Sequence, residues 1–217
     1  MNTIKVFKLD LLSIIPYLTL KNLLILIGLS IIYAGLSKNP IMAIAVSQMF
    51  ALIFSAYPFM VGEEAGIDPL YKIFSIEPKD VVKGRYLIAA TFVVISLIFG
   101  TVLSLIISGI YSIGGIFEIL SLTVPITFLV VTLIIFLEYP IYFKYGYIKG
   151  KTLASIPLML LGIALTVSTF FSEFAKVALE FFVVNKEICI ILLVSIWIAA
   201  LLISYKLSNR VYSERDF

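Results

Sequence analysis

Six long apolar stretches constrain what this chain can fold into more than any other feature of its sequence. A helix needs roughly 20 mostly apolar residues to cross the hydrocarbon core of a bilayer. Stretches of about that length, some slightly shorter, occupy residues 23–36, 41–61, 86–110, 117–143, 153–171 and 188–205. Inside lipid, a helix satisfies the backbone hydrogen bonds of each such segment. The sequence therefore predicts an all-α polytopic membrane protein with six transmembrane helices.

The low content of charged residues excludes several classes of protein. Charged residues make up 13% of the chain, whereas a soluble domain carries roughly 25%. Most of the surface must therefore face lipid or other parts of the chain, so we expect neither a soluble enzyme nor a nucleic-acid binder. The only cysteine, Cys189, has no internal disulfide partner. From the low content of charged residues we predict that the chain is embedded in a lipid bilayer.

The distribution of Lys and Arg predicts the orientation of the chain. If the N-terminus is cytoplasmic, only Lys38, Lys176 and Lys186 of the 16 basic residues fall outside. Basic residues near span ends resist translocation, so both termini are expected in the cytoplasm. No small-residue cleavage site follows the first apolar stretch, and we expect no cleavable signal peptide. We predict a multi-pass protein of the cell membrane, and the abundant Ile and Lys favour a bacterial source.

Residues 1–217 are interpreted as one transmembrane domain with three segments outside the spans. Residues 1–21 carry apolar side chains at three-to-four spacing, which predicts an amphipathic helix in the inner headgroup layer, with an extension of the first span as the alternative. Residues 63–85 form the longest cytoplasmic loop. Residues 172–187 have helical periodicity and are predicted to form a helix at the outer face.

Two spans carry small residues at every fourth position. The stripes are Ala43, Ser47, Ala51 and Ser55 in the second span, and Ser96, Gly100, Ser104 and Ser108 in the third. Small side chains let helix backbones approach closely in lipid. We expect these stripes to be packing faces, with a substrate groove as the alternative.

The residues available for catalysis exclude most enzyme chemistry. Without histidine the chain cannot form a His-Glu-x-x-His zinc site or a Ser–His hydrolase site, and every Asp lies outside the spans. Residues 146–152 resemble a phosphate-binding loop but lack its glycine spacing and its strand-to-helix context, so they are interpreted as a basic cytoplasmic turn. We expect no enzyme, no catalytic residue, and no bound metal or cofactor.

Glu138 is the one acidic residue predicted near the inner end of a span, where burial of charge is costly. A structural ion pair with Lys144, or with a basic residue of the 63–85 loop, is the favoured interpretation, and ion coupling is the alternative.

The 63–85 loop contains a short helical pattern with an apolar face. Asp68 is suited to cap this helix and Pro69 to occupy its first turn. Leu70, Ile73 and Phe74 then fall on one face. An apolar face of this kind beneath a membrane bundle must rest on the lipid surface or dock into a groove of a cytoplasmic partner.

Two segments of the sequence resemble the membrane subunits of type-2 ATP-binding-cassette exporters. The first runs from the acidic pair Glu63 and Glu64 through the short apolar helix to Ile-Glu-Pro-Lys-Asp at 76–80 and Lys-Gly-Arg-Tyr at 83–86. The second, residues 139–150, is similar to the Pro–Phe–Gly–basic turn after the fourth span of such permeases. The sequence departs from the family at Glu77, which is inserted, and at 79–80, where Arg is frequent.

The resemblance implies a permease subunit of an exporter that is powered by a separate ATPase, which binds the ATP and Mg²⁺. It implies a coupling site made by Glu63, Glu64, Leu70, Tyr71, Ile73 and Phe74, and a translocation path shared with a second permease copy or a paralogue. Short members of the family often export peptides, including antimicrobial ones, or give immunity to them. The alternative is a transporter or immunity protein that works without an ATPase.

Overall fold

The computed structural model describes residues 2–170 and 186–215, and these ranges are helical with short connections and no β-strand. A 3₁₀ turn, Ile15–Tyr17, separates the first two helices. The helices are α1 (Asn2–Ile14), α2 (Leu20–Ser37), α3 (Ile41–Glu64), α4 (Ile67–Ile73), α5 (Pro78–Ile110), α6 (Ile116–Phe170) and α7 (Lys186–Ser213). The all-α polytopic fold is confirmed.

Five helices of the described ranges are long and apolar enough to cross a membrane. They are α2, α3, α5, the 116–156 part of α6, and α7 from residue 190. The predicted span at 153–171 begins in the later part of α6 and continues past the described residues, so the number six stays a prediction. The predicted outer helix at 172–187 lies almost wholly outside the described residues.

The N-terminal helix is separate from the first span. Pro16 lies in the 3₁₀ turn after α1, and the Thr19 side chain accepts a hydrogen bond from the Asn22 backbone N–H at the start of α2. The buried face of α1 contains Val6, Asp10 and Ile14, spaced four residues apart. This face packs on protein, mainly α5, while Leu9 and Leu12 remain exposed. The interfacial location of α1 stays a prediction.

The packing interpretation of the two small-residue stripes is confirmed. All members of both stripes are buried, and α3 and α5 form the most extensive helix pair of the structure. At Gly100 an added Cβ atom would lie 2.8 Å from the Cα of Ile44 and 3.0 Å from the side chain of Ser47. Only a residue without a side chain allows this backbone approach.

The long helix α6 bends sharply at Gly146. This glycine has φ 74° and ψ −179°, a combination that is essentially restricted to glycine. The bend brings Gly150 against Tyr142, since a Cβ added at Gly150 would lie 3.4 Å from that ring. In a straight helix eight residues would separate the two by about 12 Å. The predicted basic turn is thus a one-residue break between two helical segments.

Candidate functional site

The short helix α4 has one exposed face and one buried face. It begins after Gly66, whose left-handed backbone (φ 64°) directs the chain from α3 into the helix. Leu70 is 44% exposed, Ile73 73% and Phe74 72%. These three side chains form an apolar surface that we call the α4 ridge. The predicted grouping of the three residues on one face is therefore present.

Tyr71 does not belong to the α4 ridge, although the coupling site predicted from the resemblance includes it. Its side chain is 3% exposed, and its hydroxyl donates a hydrogen bond of 2.7 Å to Oδ1 of Asp10 in α1. Tyr71 follows Leu70 by one residue, which rotates its side chain by about 100° around the helix axis. The helix therefore turns Tyr71 toward the bundle and leaves the ridge outside.

Asp68 also has a different role from the predicted one. Gly66 is the residue before the helix, so Asp68 lies in its first turn and is not the capping residue. The Asp68 carboxylate instead points into the bundle and forms a buried ion pair with Nη2 of Arg85. The hydroxyl of Tyr212 in α7 donates a hydrogen bond of 3.3 Å to the same carboxylate.

The guanidinium of Arg85 is the centre of this buried cluster. Its Nε lies 3.4 Å from Oδ2 of Asp10, and its Nη2 pairs with Asp68. Its central carbon lies 4.7 Å from the ring centre of Phe59 in α3 and 5.7 Å from that of Phe143 in α6, within the range of cation–π attraction. Side chains of six helices therefore meet at one arginine, which we call the Arg85 cluster.

Burial determines the ionisation of the Asp10 carboxyl and the Tyr71 hydroxyl. Burial raises the pKa of Asp10 above its ordinary value, although the charge of Arg85 and the hydrogen bond from Tyr71 act to lower it. Burial, followed by the neighbouring Asp10, also raises the pKa of Tyr71. Tyr71 is therefore a neutral donor throughout the physiological range, which suits it to hold the Asp10 carboxyl in place.

The predicted site residue Glu63 joins α3 to the second segment of α6. Its Oε2 accepts hydrogen bonds from the backbone N–H groups of Tyr147 at 2.5 Å and Ile148 at 2.9 Å. These N–H groups open the segment that follows the bend at Gly146. A carboxylate at a helix N-terminus satisfies free donors and complements the helix dipole. Glu63 is therefore engaged within the chain.

Glu64, its neighbour, is exposed and accepts a hydrogen bond of 3.4 Å from the hydroxyl of Tyr17. Of the two acids, Glu64 is the one whose carboxylate faces outward.

The ion pair predicted for Glu138 is not formed. Glu138 is buried in α6, and within residues 2–170 and 186–215 its carboxylate has no basic partner within 4 Å. The Lys144 ammonium lies instead over the ring of Tyr145, 5.0 Å from its centre. Lys144 follows Glu138 by six residues, which places the two side chains about 120° apart around the helix axis, on different faces.

Sequence reasoning missed the central residues Asp10 and Arg85, although a signal for them exists. Asp10 lies four residues from both Val6 and Ile14 on the buried face of α1. Arg85 similarly follows Val81 by four residues and precedes Ile88 by three on the buried face of α5. A charged residue in register with apolar neighbours on a helix indicates a buried charge that needs a partner.

Comparison with known proteins identifies a family. No curated protein and no solved structure matches the chain. The sequence model of the family described as "ABC-2 family transporter protein" matches residues 5–213, which include the 63–85 loop, the Arg85 cluster and the five apolar helices of the described ranges. The chain therefore belongs to the ABC-2 family of transporter proteins.

Proposed function

We propose that this chain is the membrane subunit of an ATP-driven exporter and that the α4 ridge is the surface on which its ATPase docks. Family membership supports the general part, since ABC-2 membrane domains are transport permeases that work with an ATP-binding partner. The observation that carries the specific part is the division of α4 into two faces. Leu70, Ile73 and Phe74 point outward, and Asp68 and Tyr71 anchor the helix in the bundle.

The exposure of the α4 ridge supports a protein partner. Ile73 and Phe74 are among the most exposed large apolar side chains of the described ranges, and burying one such side chain is worth about 1.5–3 kcal/mol. The ridge lies on the connection between α3 and α5, at the end of the bundle to which the basic residues assign the cytoplasm. An apolar helix face of this size suits a groove on a partner.

The anchoring of α4 supports a role in energy coupling. A docking helix on a loose loop would move without moving the spans. Here Asp68 holds α4 to Arg85 of the span α5, and Tyr71 holds it to Asp10 of α1. A displacement of the ridge is therefore transferred to helices that cross the bilayer. Glu63 and Glu64 are the last two residues of α3, just before α4, and they complete the proposed coupling region.

The remaining parts of the proposal follow the family. The translocation path lies between this chain and a second permease, either another copy or a paralogue. The cargo is a peptide or another amphipathic molecule, and the partner ATPase binds ATP and Mg²⁺. This chain supplies the path and the docking surface, and it works in the cell membrane of a bacterium.

The exchange Phe74→Asp tests the docking surface. The tagged chain is co-expressed with the ATP-binding-cassette ATPase encoded beside its gene, and the amount of ATPase that co-purifies is measured. We expect Phe74→Asp to reduce co-purification and ATP-dependent transport at least ten-fold, because a charge in an apolar contact costs more than 1.4 kcal/mol. The thermal unfolding temperature should stay unchanged, since Phe74 is exposed in the free chain.

Leu207→Asp is the matched control, since Leu207 is an exposed apolar residue near the same end of the bundle, on α7. It should leave co-purification intact. Full ATPase binding and transport by Phe74→Asp would show that the ridge is not the docking surface. Transport in liposomes that contain the purified chain alone would favour the ATPase-independent alternative and contradict the exporter proposal as a whole.

A further inference from the structure

A large apolar groove runs along the outside of the bundle between α5, α6 and α7. Its volume is about 480 Å³, within the range of known ligand sites. Its walls include Tyr86 and Ala90 of α5, Phe136 of α6, and Trp197, Leu201 and Tyr205 of α7. None of the residues that line the groove belongs to the α4 ridge.

The Tyr86 hydroxyl and the Trp197 indole N–H, two polar groups in the walls of the groove, are hydrogen-bonded within the protein. The Tyr86 hydroxyl shares hydrogen bonds of 2.5 and 3.1 Å with the hydroxyls of Ser204 and Ser208. The indole N–H of Trp197 donates a bond of 2.7 Å to Thr132. An occupant of the groove therefore meets rings and aliphatic carbon, which suits a hydrocarbon chain.

One end of the groove carries a positive charge. Lys83 and Thr3 line this end, and Val6 of α1 packs over the neighbouring Gly84. Lys83 is exposed, and it takes part in none of the ion pairs found within the described ranges. The nearby carboxylate of Asp80 accepts a hydrogen bond from the Thr3 hydroxyl. The Lys83 ammonium is thus available to an anion at the mouth of the groove.

The length of the groove matches one leaflet of a bilayer. Tyr205 and Trp197 are eight residues apart on α7, which corresponds to about 12 Å along a helix. Half the hydrocarbon core is about 15 Å thick. A spanning helix from a second copy would need a contact surface along the full thickness of the hydrocarbon core. A lipid tail, whose headgroup stays at the interface, needs a groove only as long as one leaflet is thick.

We propose that this groove binds an acyl chain of an anionic phospholipid, with the phosphate of its headgroup at Lys83 and its tail extending toward Trp197. The site is formed within a single chain and does not depend on the proposed exporter function. Its chemistry combines an apolar slot with the length of one leaflet and the Lys83 ammonium at one end. Neutral phospholipids share the tail but lack the net negative charge, so the site prefers anionic ones.

The single tryptophan of the chain makes the proposal testable, because Trp197 lines the groove. The full chain is reconstituted in nanodiscs of phosphatidylcholine, and phosphatidylglycerol or phosphatidylcholine with brominated tails is added in steps while tryptophan fluorescence is recorded. We expect half-maximal quenching at a content of brominated phosphatidylglycerol about five-fold lower than that of brominated phosphatidylcholine. This factor corresponds to the attraction between one lysine and an anionic headgroup. The variant Lys83→Gln should remove this preference.

Two matched controls distinguish the groove from general contact with lipid. Ala90→Phe fills the groove and should weaken quenching by both lipids, whereas Val94→Phe, one turn along α5 and also exposed, should not. Lys206→Gln removes an exposed charge next to Tyr205 and should retain the preference. Equal quenching by the two lipids in the unmodified chain, or an unchanged preference in Lys83→Gln, would overturn the proposal. If neither brominated lipid quenches Trp197 fluorescence, the proposal is also wrong, and a second copy of the chain becomes the favoured occupant of the groove.

Discussion

At the scale of single residues, the guanidinium of Arg85 carries a full charge inside protein, where an unpaired ion costs several kcal/mol. Asp10 and Asp68 compensate this charge, and the rings of Phe59 and Phe143 cover its face. Within the described ranges its Nη1 has no hydrogen-bond acceptor. The balance therefore rests on two carboxylates, which come from outside the spans and hold α1 and α4 in place.

Replacing Arg85 by Gln should strongly destabilise the chain. The change leaves two carboxyl groups buried without their cation, and breaking a buried ion pair costs about 3–5 kcal/mol. We expect a clear fall in the thermal unfolding temperature of the purified chain. Arg210→Gln is the control, because the pair of Arg210 with Glu214 is exposed and such pairs contribute little. Equal unfolding temperatures for the two variants would contradict the central role of the cluster.

Replacing Tyr71 by Phe should destabilise the chain more at neutral pH than at acidic pH. The hydroxyl donates to Asp10 and thereby lowers the pKa of that carboxyl, so its loss raises this pKa further. A folded pKa above the ordinary 3.8 means that Asp10 stabilises the fold at low pH and that this stabilisation is lost as pH rises through the folded pKa. Without the donor this loss is larger.

We expect a cost of about 1–2 kcal/mol at pH 7 for Tyr71→Phe and a smaller one below the ordinary pKa of Asp10, measured as unfolding temperatures across pH. Tyr17→Phe, which removes a weak exposed hydrogen bond to Glu64, should have little effect at any pH. A cost of Tyr71→Phe that does not vary with pH would contradict this interpretation of the pair.

At the scale of elements, the sequence predicts which helices form better than it predicts which way they face. Apolar spacing suffices for α4 and for its ridge, because three large apolar residues recur at helical spacing. It does not suffice for Tyr71, since an aromatic phenol suits both an exposed ridge and a buried hydrogen bond. Two distant residues determine which face of α4 turns inward: Asp10, which lies 61 residues before Tyr71 in the chain, and Arg85, which pairs with Asp68.

The contact between α3 and α5 gives a prediction at the same scale. Gly100→Ala should destabilise the chain, because the added Cβ would lie 2.8 Å from the backbone of Ile44 and must push two helices apart. Gly109→Ala in the same helix meets nothing within 4 Å and should be neutral or stabilising by up to about 1 kcal/mol through helix propensity. Unfolding temperatures of both variants measure the difference, and similar values would mean that Gly100 is not a packing contact.

At the scale of the whole molecule, hydropathy predicts the spans and the basic residues predict the orientation, and the described structure tests only the first of these. Five of the six predicted apolar stretches coincide with long helices of the described ranges, because the requirement to satisfy the backbone in lipid leaves little choice of conformation. The sequence predicts a basic turn at residues 146–152 but not a one-residue bend at Gly146, since sequence alone does not reveal that Glu63 caps the following segment. Orientation rests on the distribution of Lys and Arg.

Cysteine labelling in intact cells tests this orientation. With the native thiol removed by Cys189→Ser, a thiol introduced by Gly114→Cys between α5 and α6 should react with a membrane-impermeant maleimide from outside. A thiol introduced by Ser213→Cys at the end of α7 should react only after the cells are opened. The reverse pattern would show that the N-terminus is outside, and it would remove the cytoplasmic assignment of the α4 ridge.

The attachment of Asp10 and Asp68 to the same guanidinium has a mechanical consequence. A displacement of α4 cannot stay local, because it must either separate a buried ion pair or move α1 as well. With an ATPase docked on the α4 ridge as proposed, and α1 in the headgroup layer as the sequence predicts, each displacement of α4 would move α1 among the lipid headgroups, and the viscosity of that layer would slow the turnover of the exporter.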